Sequence, residues 1–304
     1  MDQSTFTKVS DQRIKVLRDT ITDEIFIALG LKPKNIFRKI LRLILYNPAN
    51  HFAAIAGQFI QGAVKIGVSQ SGKQTMPAFS MKATARGAVD MPVKGPLLLV
   101  TNHPGALDSL ALASCLVRSD VRIMVSDTPF MRQLGAGYDF FIYVDFKTIG
   151  GMVALREAIA HLKNGGMVIV FAHGEVEPDP ELDEQGAFQS IGEWSNSIEA
   201  ILCKVPETQL QLGIMSGAVA PKFIKSPLVK LRKKLFEQQK VAEFIQVIQQ
   251  MIFPKSVEIN IHLSFAKPFT VEQNDKTMPE IIRRAWGVLE NHLNWVKREQ
   301  QKNS

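Results

Sequence analysis

The stretch 97–116 constrains the fold of this chain more than any other. It opens with Leu97–Val100, an apolar run typical of a short buried strand. A proline and a glycine follow and make a turn. Asp108 then begins a segment whose leucines recur at helical spacing, which predicts a helix with an acidic residue in its first turn. His103 therefore lies where the strand ends, and Asp108 lies where the helix begins.

His103 and Asp108 form a candidate catalytic pair. On one continuous helix, side chains five residues apart diverge, but a tight turn between them allows contact. A carboxylate that accepts a hydrogen bond from one imidazole nitrogen fixes the tautomer, stabilises the imidazolium and leaves the other nitrogen to take a proton. No serine or cysteine stands in a nucleophile elbow, so the proton taken would belong to a substrate hydroxyl or amine. The alternative is an exposed loop histidine beside a helix-capping aspartate.

The segments after this stretch predict an α/β fold. A helix is expected over 150–163, a strictly alternating strand over Val257–Phe265, and a closing helix over 279–297. Strands are predicted at 121–125, 140–144 and 167–171, and the one at 140–144 is expected to be buried. Strands that alternate with helices favour a mostly parallel central sheet with helices on both faces.

The first 80 residues predict a helical appendage, and residues 81–304 the α/β domain. Helical spacing over 11–29 and 34–46, with breaks at Gly30 and at Asn47 and Pro48, predicts two helices. A third apolar segment covers 52–68, and the polar residues 69–80 predict a linker. The basic and apolar residues of 34–68 leave two alternatives, a helical pair in a membrane interface or a subdomain packed on the main fold.

The net charge restricts the class of binding partner, and the cysteines indicate the redox compartment. The net charge of +7 indicates an anionic partner: a membrane surface, a phosphate-bearing substrate or a nucleic acid. We expect no nucleic-acid binding, because no zinc-finger spacing, helix-turn-helix signal or RNA-binding aromatic motif accompanies the charge. The basic segment 222–240 predicts either a membrane-facing patch or a solvated helix face. Cys115 and Cys203 lack metal-ligand spacing, so we expect two buried thiols, a reducing compartment and no metal.

No targeting segment is expected. The N-terminus is polar and mixed in charge, unlike a signal peptide. No run of 18 or more apolar residues occurs, so no transmembrane helix is predicted. Together with the basic segments, this favours a cytoplasmic protein that contacts the inner face of the membrane peripherally.

The string NHPGALDSL, residues 102–110, resembles the first motif of the glycerolipid acyltransferase family, which is histidine, four residues and aspartate. That family includes the 1-acylglycerol-3-phosphate acyltransferases. Four blocks in family order cover about residues 85–270. The resemblance implies transfer of a fatty acyl group from acyl-CoA or acyl carrier protein to a hydroxyl of a lipid, lysolipid or glycerol-phosphate-type acceptor. His103 would be the general base and Asp108 its partner. Asn102 and Gly105 would contact substrate, and the thioester would be a co-substrate with no further cofactor.

The third block departs from the family pattern. The family motif is Phe-Pro-Glu-Gly-Thr-Arg, whereas residues 171–176 are FAHGEV, which keep Phe171 and Gly174. Valine replaces the arginine, whose planar guanidinium would form two parallel hydrogen bonds with a phosphate. This predicts either an acceptor other than a glycerol phosphate or a phosphate held by other residues, unless the loop has diverged and binds nothing. His173 and Glu175 remain as candidate substrate contacts beside Phe171 and Gly174.

Two further points follow from the resemblance. The family's second motif usually ends in an arginine, and Lys147 is the candidate to replace it. Because these blocks depart from the family pattern, two alternatives stay open. One is a catalytically silent lipid- or acyl-CoA-binding protein on the same fold, and the other is a hydrolase that uses His103 and Asp108 to activate water.

Overall fold

The computed structural model describes residues 9–28, 32, 36–145, 150–272 and 277–302. Within them, seven strands form one sheet in the order β1-β7-β6-β2-β5-β3-β4. Neighbouring strands are parallel except for the antiparallel pair β6–β7. The predicted mostly parallel sheet is confirmed. The strands are β1 Met81–Arg86, β2 Leu97–Thr101, β3 Val121–Ser126, β4 Phe141–Val144, β5 Met167–Phe171, β6 Gln209–Ser216 and β7 Ile259–Phe265.

Twelve helices belong to the described part of the chain. They are α1 Asp11–Ala28, α2 Ile36–Ile66, α3 Val68–Thr75, α4 Asp108–Cys115, α5 Pro129–Gly135, α6 Gly150–Lys163, α7 Glu184–Gly192, α8 Ser197–Lys204, α9 Pro221–Ile224, α10 Pro227–Lys230, α11 Leu235–Ile252 and α12 Thr277–Lys302. Residues of α2, α3, α4 and α11 share a core with one sheet face. Residues of α6, α7, α8 and α12 share a core with the other. Helices on both faces are therefore confirmed.

Strand β2 shows why both faces need helices. All five of its residues are buried. Leu97 and Leu99 belong to the core on one face, and Leu98 and Val100 to the core on the other. Successive side chains of a strand point to opposite faces, so an unbroken apolar run stabilises a strand only where both faces are covered.

The predicted break at Asn47 and Pro48 is wrong, because α2 continues through both residues. An interior proline removes one backbone hydrogen bond and costs about 3 kcal/mol. Leu45, Ala49 and Ala53 are buried on the same side of this helix. Burial of that face outweighs the local cost.

The predicted linker over 69–80 is also wrong. Helix α3 occupies most of it, and a short 3₁₀ helix, Met76–Phe79, completes it. Gly72, a linker signal in the sequence, instead permits close helix packing: a Cβ at this position would lie 2.8 Å from the backbone nitrogen of Ser114 in α4. Residues of α2, α3 and this 3₁₀ helix thus belong to the same core as the sheet.

Two smaller expectations are corrected at the surface. Cys203 is exposed, whereas Cys115 is partly buried. Helix α12 extends to Lys302, so the chain is helical well beyond the predicted end at residue 297. Over the described ranges, no helix combines the length and the apolar character that crossing a bilayer requires.

Candidate active site

The site lies at the carboxyl ends of the two central strands β2 and β5. The chain leaves β2 toward α4, on one face of the sheet, and leaves β5 toward α7 and α8, on the other. Two neighbouring strands whose connections leave in opposite directions open a crevice at the sheet edge, where α/β proteins place their ligands. The loop carrying His103 and the loop carrying residues 172–177 form the two sides of this crevice.

The turn after β2 brings His103 and Asp108 together. The Nδ1 atom of His103 lies 2.9 Å from one carboxylate oxygen of Asp108 and 3.0 Å from the other. Asp108 is fully buried, and the same carboxylate accepts the Gly105 N–H at 3.0 Å. The His103 side chain remains 23% exposed. With Nδ1 bonded to Asp108, the Nε2 atom is the nitrogen left to exchange a proton.

The surroundings of His103 favour its protonated form. Burial alone would lower the pKa of this imidazole. The charge of Asp108 and the hydrogen bond to it, followed by the charges of Glu243 and Glu177, outweigh burial and raise the pKa above its ordinary value. A raised pKa makes the neutral imidazole a stronger proton acceptor.

His103 lines the wall of an apolar cavity of about 600 Å³. The cavity lies between the sheet and the helices α2, α4 and α5. Its few polar side chains include His103, His173, Ser195 and Ser197. Phenylalanines contribute much of the apolar wall: Phe52, Phe59, Phe79, Phe130, Phe141 and Phe171. An apolar pocket with a few convergent polar groups is typical of a ligand-binding site.

The end of β5 and the loop after it contribute to the site in three ways. The ring of Phe171 lies against that of His103, with 4.4 Å between their centroids. His173 and Gly174 line the cavity. The Nδ1 atom of His173 is buried without a hydrogen-bond partner, while its Nε2 atom lies 3.7 Å from a carboxylate oxygen of Glu193. A buried, unsatisfied nitrogen in a cavity wall is a candidate contact for a ligand.

The remaining predicted substrate contacts occupy other positions. Glu175 is exposed and lies outside the cavity wall. The amide of Asn102 is buried and bonds to the backbone of Met215, donating to the oxygen at 2.9 Å and accepting from the nitrogen at 2.7 Å. Gly105 is buried against Ala218 and Glu243 rather than in the cavity wall. Lys147 lies outside the described residues.

Glu177 is a site residue that the sequence motifs did not reveal. Its carboxylate accepts the His103 N–H at 2.9 Å, and its own N–H donates to the His103 carbonyl at 2.7 Å. The other carboxylate oxygen accepts from the Ser190 hydroxyl and the Trp194 indole at 2.8 and 3.0 Å. Burial raises the pKa of Glu177, while these donors oppose the rise. The backbone of His103 is thus held from the neighbouring strand's loop.

The amides of the turn are largely engaged within the protein. The Gly105 N–H donates to Asp108, the Ala106 N–H to Glu243, and the Asp108 N–H to the Gly105 carbonyl at 3.3 Å. These bonds fix the turn. They also mean that an oxyanion formed beside His103 would need donors other than these three.

Comparisons with known proteins show likeness only among solved structures. No family model matches the chain, and no curated protein shows a significant match. Among solved structures, the chain is similar to the 1-acyl-sn-glycerophosphate (LPA) acyltransferase PlsC from Thermotoga maritima, with 14% identity and a TM-score of 0.43. The match covers 92% of this chain and 95% of that chain.

The described residues contain no group of three or more His, Cys, Asp or Glu side chains arranged to hold a metal ion.

Proposed function

We propose that this chain is an O-acyltransferase. It would transfer a fatty acyl group from an acyl-CoA or acyl carrier protein thioester to a hydroxyl of a lipid, lysolipid or glycerol-phosphate-type acceptor. One observation carries the proposal: His103, with Nδ1 bonded to buried Asp108, lines the wall of a large apolar cavity. A proton acceptor beside a compartment suited to an alkyl chain is what direct acyl transfer to a hydroxyl requires.

The proposed reaction has one base and no covalent enzyme intermediate. The acceptor oxygen attacks the thioester carbonyl carbon while the Nε2 atom of His103 takes the hydroxyl proton. The carbon–sulfur bond then breaks, the ester forms, and the leaving sulfur receives the proton from the imidazolium. Asp108 holds the ring orientation and stabilises its positive charge throughout.

The cavity is the proposed site of the acyl chain. Each methylene that leaves water for an apolar wall contributes about 0.8 kcal/mol. We therefore expect KM for the donor to fall by about fourfold per added methylene until the chain fills the cavity, and then to level off. Initial rates with acyl-CoA from eight to eighteen carbons measure this series. A KM independent of chain length would argue against the assignment of the cavity.

The acceptor is the less defined substrate. The buried Nδ1 atom of His173 and the hydroxyls of Ser195 and Ser197 are the proposed polar contacts for its head. Val176 replaces the arginine that the family motif would supply for a phosphate. The test is an acceptor panel that contains lysophosphatidic acid, glycerol 3-phosphate and phosphate-free lysolipids. A His173→Ala variant should raise KM for the preferred acceptor and leave KM for the donor unchanged.

We also propose peripheral contact with an anionic membrane surface on the cytoplasmic side. The first nine residues of α2 expose five large apolar side chains, Ile36, Phe37, Ile40, Leu43 and Ile44. Leu45 of α2 packs against Met251 near the end of α11, and the basic segment 222–240 leads into the start of α11. Exposed apolar side chains and a lysine-rich segment are both features typical of proteins that bind anionic lipids.

Liposome sedimentation tests this contact. The protein should pellet with anionic vesicles at low salt and be released at high salt, because screening weakens the attraction. Leu43→Asp should reduce pelleting, whereas Val89→Asp, at an exposed valine near β1, is the matched control and should not. Equal pelleting of both variants would remove the α2 surface from the proposal.

A catalytically silent lipid- or acyl-CoA-binding protein is the second candidate. It is favoured by the engagement of the Gly105 and Ala106 N–H groups within the protein, which leaves fewer donors for an oxyanion. This candidate predicts that a long-chain acyl-CoA raises the melting temperature while no thiol is released with any acceptor. Acceptor-dependent thiol release would exclude it.

A further inference from the structure

Helix α11 carries a buried stripe of polar side chains. Gln239, Glu243, Gln246 and Gln250 follow at spacings of four, three and four, which places them on one face of the helix. All four are buried. Long polar side chains are rarely buried without partners, because an unsatisfied buried polar group is costly. The contacts of this stripe therefore show what the helix does.

The two residues nearest the site bond to the catalytic turn. The amide nitrogen of Gln239 donates to the Pro104 carbonyl at 3.0 Å and to the Glu177 carbonyl at 2.9 Å. One turn later, the Glu243 carboxylate accepts the Ala106 N–H. Gln239 and Glu243 thus hold the backbone on either side of Gly105.

The other two residues of the stripe bond away from His103. Gln246 accepts the Ala220 N–H at 2.7 Å and donates to the Ala218 carbonyl at 2.8 Å. Gln250 donates to the Phe79 carbonyl at 2.9 Å. These contacts stabilise the fold without touching the catalytic turn, so Gln246 offers an internal control for Glu243.

Glu243 differs from the glutamines by its charge. Titratable groups face the His103 turn from three elements. Asp108 begins α4, the loop after β5 supplies His173, Glu177 and Asp179, and α11 supplies Glu243. Burial, opposed by the Ala106 N–H and by the charge of His103, raises the pKa of Glu243 to about 7. Because the Glu243 carboxylate contacts the N–H of Ala106, three residues after His103, we expect the two groups to influence each other's protonation.

Resting on the proposed function, we propose that Glu243 is a positioning residue of this site. Its carboxylate holds the Ala106 amide, and its negative charge stabilises the protonated imidazole of His103 during acyl transfer. A glutamine here would keep an acceptor for the Ala106 N–H and remove the charge, so Glu243→Gln separates the electrostatic role from the structural one.

The first test is an NMR titration of the histidine ring signals, which needs no activity. The His103 signal is assigned by its loss in His103→Gln. In Glu243→Gln, the His103 midpoint should fall by on the order of half a pH unit, because a neighbouring negative charge is lost. Glu237→Gln, at an exposed carboxylate on the same helix, should leave it unchanged. An unchanged midpoint in folded Glu243→Gln overturns the proposal.

Two measurements on other variants make the test independent of whether Glu243→Gln folds. Gln246→Ala should lower the melting temperature without moving the His103 midpoint, because it removes buried bonds but no charge. Coupling between two titrations is reciprocal, so the Glu243 carboxyl signal should titrate at higher pH in His103→Gln, where the cation is missing. A Glu243 midpoint that does not move in His103→Gln also overturns the proposal.

Kinetics then separates this inference from the proposed function. With an active enzyme, Glu243→Gln should lower kcat by a larger factor than it changes KM. It should also move the acidic limb of the pH–rate profile to lower pH. If no acceptor gives thiol release in the wild type but the His103 midpoint still shifts in Glu243→Gln, the electrostatic role stands and acyl transfer fails. If thiol release depends on His103 but its midpoint is indifferent to Glu243, only the positioning role fails.

Discussion

Replacement of Asp108 by asparagine tests the catalytic role of the His103–Asp108 pair at its buried member. The Asp108 carboxylate is fully buried and accepts from both the His103 imidazole and the Gly105 N–H. Asparagine has the same shape but only one acceptor oxygen. Its NH₂ group is a donor, and it would face the His103 ring or the Gly105 N–H, which both donate to Asp108. Either the ring turns or the tautomer changes, and in both cases Nε2 loses its readiness to take a proton.

The expected magnitude follows from these lost interactions. A misplaced or mis-tautomerised general base costs about two to four orders of magnitude in kcat. The buried donor left without an acceptor costs about 1–3 kcal/mol of stability. Loss of the charge also removes the leading influence that raises the pKa of His103. Any remaining base-dependent rate should therefore persist to lower pH than in the wild type.

Thiol release from a long-chain acyl-CoA in the presence of an acceptor measures the effect over pH 5 to 9. Circular dichroism and the melting temperature establish that Asp108→Asn is folded. A folded variant that keeps its rate within about threefold of the wild type would refute the role assigned to Asp108.

Three further predictions concern packing, the cavity and pH. Gly72→Ala should lower the free energy of unfolding by about 1–3 kcal/mol, because its Cβ would meet the Ser114 backbone, whereas Gly287→Ala, in open space within α12, should raise it by up to about 1 kcal/mol. Ala56→Phe, in the cavity wall, should shift donor preference in acyl-CoA assays toward shorter chains, and Gln58→Phe, exposed on the same helix, should not. Burial raises the pKa of Asp179 to about 7. The stabilising contribution of the protonated carboxyl is therefore present near pH 4 and is lost as the pH rises to 7. In melting curves, Asp179→Asn should lose less stability over that range than the wild type.

The contact between His103 and Asp108 could be predicted because it is local. Five residues with a proline and a glycine between them determine the turn, and the apolar run before it determines the strand. Five of the seven described strands were predictable for the same reason, since β2 to β5 are short and largely apolar and β7 alternates strictly. Patterns that act within about ten residues carried this part of the fold.

The supports of the turn were not predictable from local pattern. Glu243 is 137 residues away from Ala106 in the chain, and Glu177 is 74 residues away from His103. Glutamine and glutamate on a helix ordinarily face solvent, so the stripe of α11 resembles a surface. Its one signal was the helical spacing of its glutamines, which became meaningful only once the helix was found against the catalytic loops.

Composition misled the prediction where packing decides. Pro48 predicted a helix end, but the buried face of α2 continues on both sides of it. Gly72 predicted a flexible linker, but its small size serves the contact between α3 and α4. In both places, a residue that breaks structure locally is tolerated or required because of a neighbour distant in sequence.

The central claim is that His103 acts as the base in acyl transfer to a hydroxyl. The most direct measurement is thiol release from a long-chain acyl-CoA with each acceptor of the panel and with none, for the wild type and for folded His103→Ala. We predict acceptor-dependent release that falls by at least about a hundredfold in His103→Ala. Undiminished release in folded His103→Ala would contradict the claim, and His103-dependent release without any acceptor would indicate a hydrolase instead.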